Sequence, residues 1–99
     1  MSVTITTVAT KPAGVAWWPN VSPENRAQLN AELAWNATQP GYISVTIVNP
    51  SEDVSHMVAV FDTVENYRAW QALRLATPLA DTRNAYAVAN NIVVTYIYE

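Results

Sequence analysis

Four β-rich segments interleaved with helix-start signals predict an α+β chain whose antiparallel sheet carries helices on one face. Three observations support this. Runs rich in Val, Ile and Thr occupy 3–10, 42–49, 55–61 and 92–98. Helix starts are marked at Ser22-Pro23, at Asp62 and at Thr77-Pro78. A short polar connector, Pro50 to Asp53, joins the second and third runs as an antiparallel hairpin.

The first strand, VTITTVAT, alternates and is ended by Lys11-Pro12-Ala13-Gly14. Ser22 then offers an N-cap, Pro23 a first helical residue with preset φ, and Glu24 an acid for the first turn. That helix is expected to run to about Thr38, where Gln39-Pro40-Gly41 stops it. Leu29, Leu33 and Ala37 form its natural sheet-facing stripe, while Trp35 lies about 160° round the helix from Leu33 and faces something else. Asp62 followed by Glu65 reads as a cap with a helper acid for a helix over 63–75. Thr77-Pro78 opens a further helix carrying Leu79, Arg83 and Tyr86, closed by Asn90-Asn91. The order is therefore ferredoxin-like βαββαβ with an extra helix before the last strand, a four-stranded antiparallel sheet within a single domain spanning 1–99.

Helices on one face leave the other bare, yet the strands are apolar on both sides. Ile43, Val45 and Ile47 read as one wholly apolar face, and Val8, Val48, Val58 and Val60 fall on the opposite parity. Composition sharpens the point: 51% of the 99 residues are apolar and only 13% charged, about half the usual charged share. The expected partner of the bare face is a second copy of the chain, giving a homodimer.

Other partners are excluded or disfavoured. The net charge is −3, and the bases Lys11, Arg26, Arg68, Arg74 and Arg83 are scattered, so no stripe exists to track nucleic-acid phosphates. Apolar runs are strand-sized, well short of the ~20 residues of a membrane span, so no membrane is expected. The start MSVTITTVAT lacks the basic and apolar regions of a signal peptide, which points to the cytoplasm. Zero cysteines remove thiolate chemistry and cysteine-held zinc, and a single histidine argues against a metal centre. Two glycines and no GxSxG elbow argue against phosphate loops and serine catalysis.

Two stretches resemble a known family. QPGYISVTI (39–47) takes a helix end through Pro-Gly into an aromatic-led strand, and VAVFDTVENYRAW (58–70) runs a strand into an acid-capped aromatic helix. Both are similar to the dimeric α/β-barrel superfamily, in its antibiotic-biosynthesis-monooxygenase-like branch. The resemblance implies two ferredoxin-like subunits packed sheet to sheet, a pocket between helices and sheet, and cofactor-free oxygenation. The family strand ends in tryptophan, an acid and Ser or Thr, with an asparagine four residues before the tryptophan. Here Phe61, Asp62 and Thr63 stand in those places, with Met57 for the asparagine. Tyr67 matches the family's aromatic in the second helix, and the histidine of a later helix has no counterpart.

The candidate site residues are read both ways. Tyr67, Trp70, Arg83 and Tyr86 offer aromatic walls and one guanidinium suited to a carboxylate; alternatively they are an aromatic core with a solvated arginine. Of Trp17 and Trp18, which adjoin and so point to opposite sides, one is expected to seal the end of the subunit, and Trp18 is the candidate lid or wall of a pocket. His56 is the one side chain with a reference pKa near ~6.5 and thus the candidate catalytic base; the plainer reading is a polar strand residue. The leading functional expectation is a cytoplasmic homodimer that needs no cofactor and binds an apolar or aromatic small molecule, carboxylic acids included. A cofactor-independent monooxygenase or isomerase is the alternative, and a non-catalytic assembly module the third.

Overall fold

The structure, a computed structural model, describes residues 2–98; Met1 and Glu99 lie outside the described residues. Its elements are β1 (Val3–Thr10), α1 (Pro23–Asn36), β2 (Tyr42–Ser51), β3 (Val54–Phe61), α2 (Val64–Leu75), α3 (Pro78–Ala89) and β4 (Val93–Tyr98), with a 3-10 turn at Trp18–Asn20. The four strands make one antiparallel sheet in the order β2-β3-β1-β4. This is the ferredoxin-like α+β arrangement: each helical connection passes over one strand, so β3 sits between β1 and β2, and β1 between β3 and β4.

Local chemistry explains where the helices begin and end. Ser22 Oγ accepts the amide of Asn25 at 3.1 Å, with Pro23 opening α1. α1 stops at Asn36, two residues earlier than expected, because the Thr38 hydroxyl donates to the Trp35 carbonyl at 2.7 Å and satisfies one of the last-turn acceptors. The cap of α2 is Thr63, not Asp62: Thr63 is extended and its Oγ1 accepts from the Asn66 amide at 3.2 Å. Asp62 instead donates its amide to Gly41 at 2.9 Å and accepts from the Asn66 side chain at 2.8 Å. Thr77 caps α3 through the amide of Ala80, and Asn91, at φ 57°, turns the chain into β4.

β2 departs from simple alternation. Tyr42 pairs with Phe61 and Ser44 with Val60, so Ile43 is the extra residue of a β-bulge. Tyr42 and Val45 consequently share the helix side while Ile43 is 52% exposed, and the uniform Ile43-Val45-Ile47 face does not form. A second irregularity between Val48 and Ser51 accommodates Pro50, tolerated because β2 is an edge strand.

The core lies between the β2-β3-β1 part of the sheet and α1 with α2. Ile5, Val45, Ala59 and Phe61 project from the sheet onto Tyr67 and Trp70 of α2, with Leu33 and Trp35 of α1 packed against them. Phe61, fully buried, is the hub: its ring centroid lies 6.1 Å from Tyr67 and 5.1 Å from Trp70. The sheet-facing stripe of α1 is completed by Asn36, which is also fully buried, while Ala37 is exposed. Asn36 Oδ1 accepts the Trp70 indole N–H at 2.8 Å, joining α1 to α2 inside the core.

Two glycines adopt positive φ, and they separate backbone strain from crowding. A Cβ at Gly14 (φ +85°) would meet nothing within 4 Å. One at Gly41 (φ +77°) would meet the Asp62 carboxylate and stand 2.8 Å from Asn66 Cβ, which cannot swing aside. Gly14→Ala is expected to cost about 1–2 kcal/mol of unfolding free energy, and Gly41→Ala about 1–3 kcal/mol more from forced displacement. Urea denaturation of the two variants side by side measures the difference, and equal midpoints would contradict it.

Candidate functional site

The helix-facing side of the sheet alternates in register. In β1 Thr7 and Ala9 continue the parity of Ile5, in β3 Ser55 and Met57 that of Ala59, and in β4 Val94 and Tyr96 pair with Ala9 and Thr7. These residues floor a cavity of about 240 Å³ whose other walls come from Trp18, from α1 through Glu32, from α2 through Arg74, and from α3 through Arg83, Asn84 and Tyr86. α1 and α2 cover the β2-β3 half of the sheet; over β4 the cover is thin, and Val94 and Tyr96 remain 44% and 43% exposed. The cavity therefore opens beside β4.

Three charged side chains line it. Glu32 accepts from Arg83 at 3.1 Å through Oε2 and from Arg74 at 3.4 Å through Oε1. Each arginine also lies over an indole: Arg74 Cζ is 5.1 Å from the centre of the Trp70 ring and Arg83 Cζ 5.2 Å from that of Trp18. Arg74 is held further by Gln71, which accepts from its Nε at 3.2 Å. The antiparallel placement of α1 against α2 explains the first pair, since Glu32 and Arg74 lie one turn from Asn36 and Trp70 respectively, which are already bonded.

The loop between β1 and α1 is fixed at several points. Trp18 is buried in the 3-10 turn, and its carbonyl accepts from the Asn25 side chain at 2.8 Å. Trp17 points elsewhere: its indole N–H donates to the Glu52 carbonyl at 2.9 Å on the β2-β3 turn, with Lys11 Nζ 5.5 Å over its ring and paired to Asp53 at 2.6 Å. The Tyr86 hydroxyl donates to the Ala16 carbonyl, tying α3 to the same loop.

Of the residues expected from the sequence, Trp18, Arg83 and Tyr86 come together around the cavity. Tyr67 and Trp70 are 5% and 2% exposed and pack on Phe61 in the core, absent from the cavity wall; Trp70 acts there only through Arg74 lying over it. His56 lies on the opposite face of the sheet, paired with Val8 and Val48, while its neighbours Ser55 and Met57 face the cavity. Strand alternation thus keeps it away from a ligand in this cavity. Sequence reasoning missed Glu32 and Arg74. The available signal was helical spacing: Arg74 follows Trp70 by four positions, the distance at which a guanidinium can lie over a ring on the same face.

No family profile matches the chain, and no curated protein does. Solved structures do match. SnoaB from Streptomyces nogalater, described as a cofactor-independent oxygenase, aligns at a TM-score of 0.56 and 18% identity, covering 99% of this chain and 90% of that one. A protein from Deinococcus radiodurans assigned as an antibiotic biosynthesis monooxygenase aligns at a TM-score of 0.61 and 12% identity, covering 100% of this chain and 90% of that one.

Glu32 bridges two cations in a setting where its side chain is only 11% exposed. Glu32→Gln is expected to lower unfolding free energy by about 1–2 kcal/mol, since it leaves two guanidiniums facing each other. Glu52→Gln, in the exposed hairpin turn, should stay within about 0.5 kcal/mol. Denaturant midpoints of the two variants at low ionic strength test the contrast. The chain has the ferredoxin-like α+β fold of the antibiotic-biosynthesis-monooxygenase-like structures.

Proposed function

We propose that this chain binds a small apolar or aromatic molecule in the cavity between its helices and the β1-β4 side of its sheet, and that it does so as a homodimer. The observation that carries the first half is the cavity itself. Its 240 Å³ is close to the lower end of ligand pockets and suits one or two fused rings. Ala9, Ile47, Met57 and Val94 make much of its floor apolar, with Thr7 and Ser55 between them, and the charged groups gather around Glu32, Arg74 and Arg83. An apolar body with one polar end is the shape this lining accommodates.

The second half rests on the uncovered face. Thr4, Thr6, Val8, Thr46, Val48, His56, Val58, Val60, Thr95 and Ile97 share it, and none of them is an acid, a lysine or an arginine. Val48 and Ile97 are 54% and 49% exposed, Val93 62%. Four strands spaced ~4.8 Å apart and eight residues rising ~3.3 Å each present roughly 500 Å². Two such faces bury about 1,000 Å², at the threshold for a specific interface. The sheet of a second copy, equally free of charge, supplies a matching surface.

A second reading is favoured by the likeness to SnoaB: cofactor-independent oxygenation or isomerisation of a phenolic or enolic molecule held in the same cavity. The proton acceptor it requires has to come from the cavity side of the sheet. Among the described residues no helix is long and apolar enough to cross a membrane.

Titration with naphthalene and quinoline derivatives, followed by calorimetry, is expected to give saturable one-to-one binding that Ala87→Trp, which fills the cavity wall on α3, abolishes. Absence of binding up to the solubility limit removes the first reading, and oxygen uptake above the protein-free rate in the same mixtures marks the second. Sedimentation is expected to give twice the 10.9 kDa chain mass for the parent protein. His56→Asp places a permanent charge in the charge-free face and should shift the population to single chains. A parent chain that sediments alone at micromolar concentration refutes the dimer.

A further inference from the structure

Two guanidiniums share one carboxylate at the polar end of the cavity. Among the described residues that line the cavity, the acidic and basic side chains are Glu32, Arg74 and Arg83, one acid against two bases, within a chain whose net charge is −3. The arginines are poorly used by their partner. Arg83 reaches Glu32 through Nη1 at 3.1 Å and Arg74 through Nη1 at 3.4 Å, each by a single nitrogen rather than as a fork. A guanidinium has five N–H donors and meets a carboxylate best with two of them. Arg83 lies over the Trp18 ring and Arg74 over the Trp70 ring, and beyond the Glu32 contacts and the Arg74 Nε bond to Gln71 the other guanidinium N–H groups are left to meet a ligand. Arg83, with a side chain 28% exposed, is the more accessible of the two.

We propose that the ligand class of this cavity is a monoanion with an apolar ring body, an aryl carboxylate, and that Glu32 is the internal counter-ion it competes with for Arg83 and Arg74. This rests on the ligand-binding reading given above and narrows it. In the empty cavity Glu32 occupies the cations and keeps them from facing each other. An incoming carboxylate takes the unused edge of Arg83 as a bidentate pair, and its ring lies over Met57, Ile47 and Val94. The Glu32 carboxylate opposes this by repulsion and by holding one donor of each arginine. It thereby sets the affinity and excludes ligands with two negative charges.

A matched pair of probes separates charge from shape: 1-naphthoate and its neutral isostere 1-naphthamide, titrated calorimetrically into the full chain. The expected result is naphthoate binding about tenfold more tightly than the amide. In Glu32→Gln the naphthoate gains a further severalfold while the amide is unchanged. In Arg83→Gln the two probes come within about twofold of each other. Arg83→Lys, which keeps the charge and loses the fork, should fall between, and it serves should the glutamine variant not fold. If the amide binds as well as the acid, or Glu32→Gln weakens the acid, the anion assignment is overturned while the cavity remains a ligand site. If neither probe binds, the ligand-binding reading falls with it.

Discussion

The hydrogen bond from the Trp70 indole to Asn36 sets the register of the two helices on which the rest depends. Both groups are buried, and an unpaired indole N–H in that position would carry the full cost of desolvation. The bond fixes which turn of α1 stands opposite which turn of α2. One turn further along, the same register brings Glu32 to Arg74, which helical spacing already sets over Trp70. A core contact thus places the charged end of the cavity. Phe61 supports it from below, since both Tyr67 and Trp70 rest on its ring, and a smaller side chain there would let α2 sink or tilt.

The sheet has two faces with different tasks, and strand parity assigns them. Odd positions of β1 and β3 supply the core and the cavity floor; even positions supply the bare face that is rich in Val and Thr. A single-residue bulge at Ile43 is needed to keep β2 consistent with both, because it brings Tyr42 onto Phe61 while Val45 stays beneath the helices. The charged share of only 13% is in keeping with this division, since the core has no room for unpaired charge and the bare face is built of Val and Thr.

Much of the fold was legible because its signals are local. Ser22-Pro23 and Thr77-Pro78 mark helix starts through cap chemistry that needs no tertiary context, and alternation in VTITTVAT places β1 to the residue. Errors arose where two residues competed for one role, as with Asp62 and Thr63. Thr63 becomes the cap because the Asp62 amide is committed to Gly41 across the chain, a partner no local pattern reveals. The lining of the cavity was legible in part. Trp18, Arg83 and Tyr86, singled out in the sequence, all border it. Glu32 and Arg74 were not singled out, because an ion pair between α1 and α2 depends on helix register, which is set by Asn36 and Trp70 in three dimensions. Tyr67 and Trp70 lie on the expected helix face, but Phe61 meets them there and leaves no opening.

The segment between β1 and α1 has little regular structure, yet it is riveted to three separate parts of the molecule: Trp17 to the β2-β3 turn, Ala16 to α3, and the Trp18 carbonyl to α1. A connector pinned in this way cannot swing as a flap. The open side of the cavity is then the β4 border, where the cover is thin, and the segment should resist nicking by proteases as firmly as the helices it fastens together.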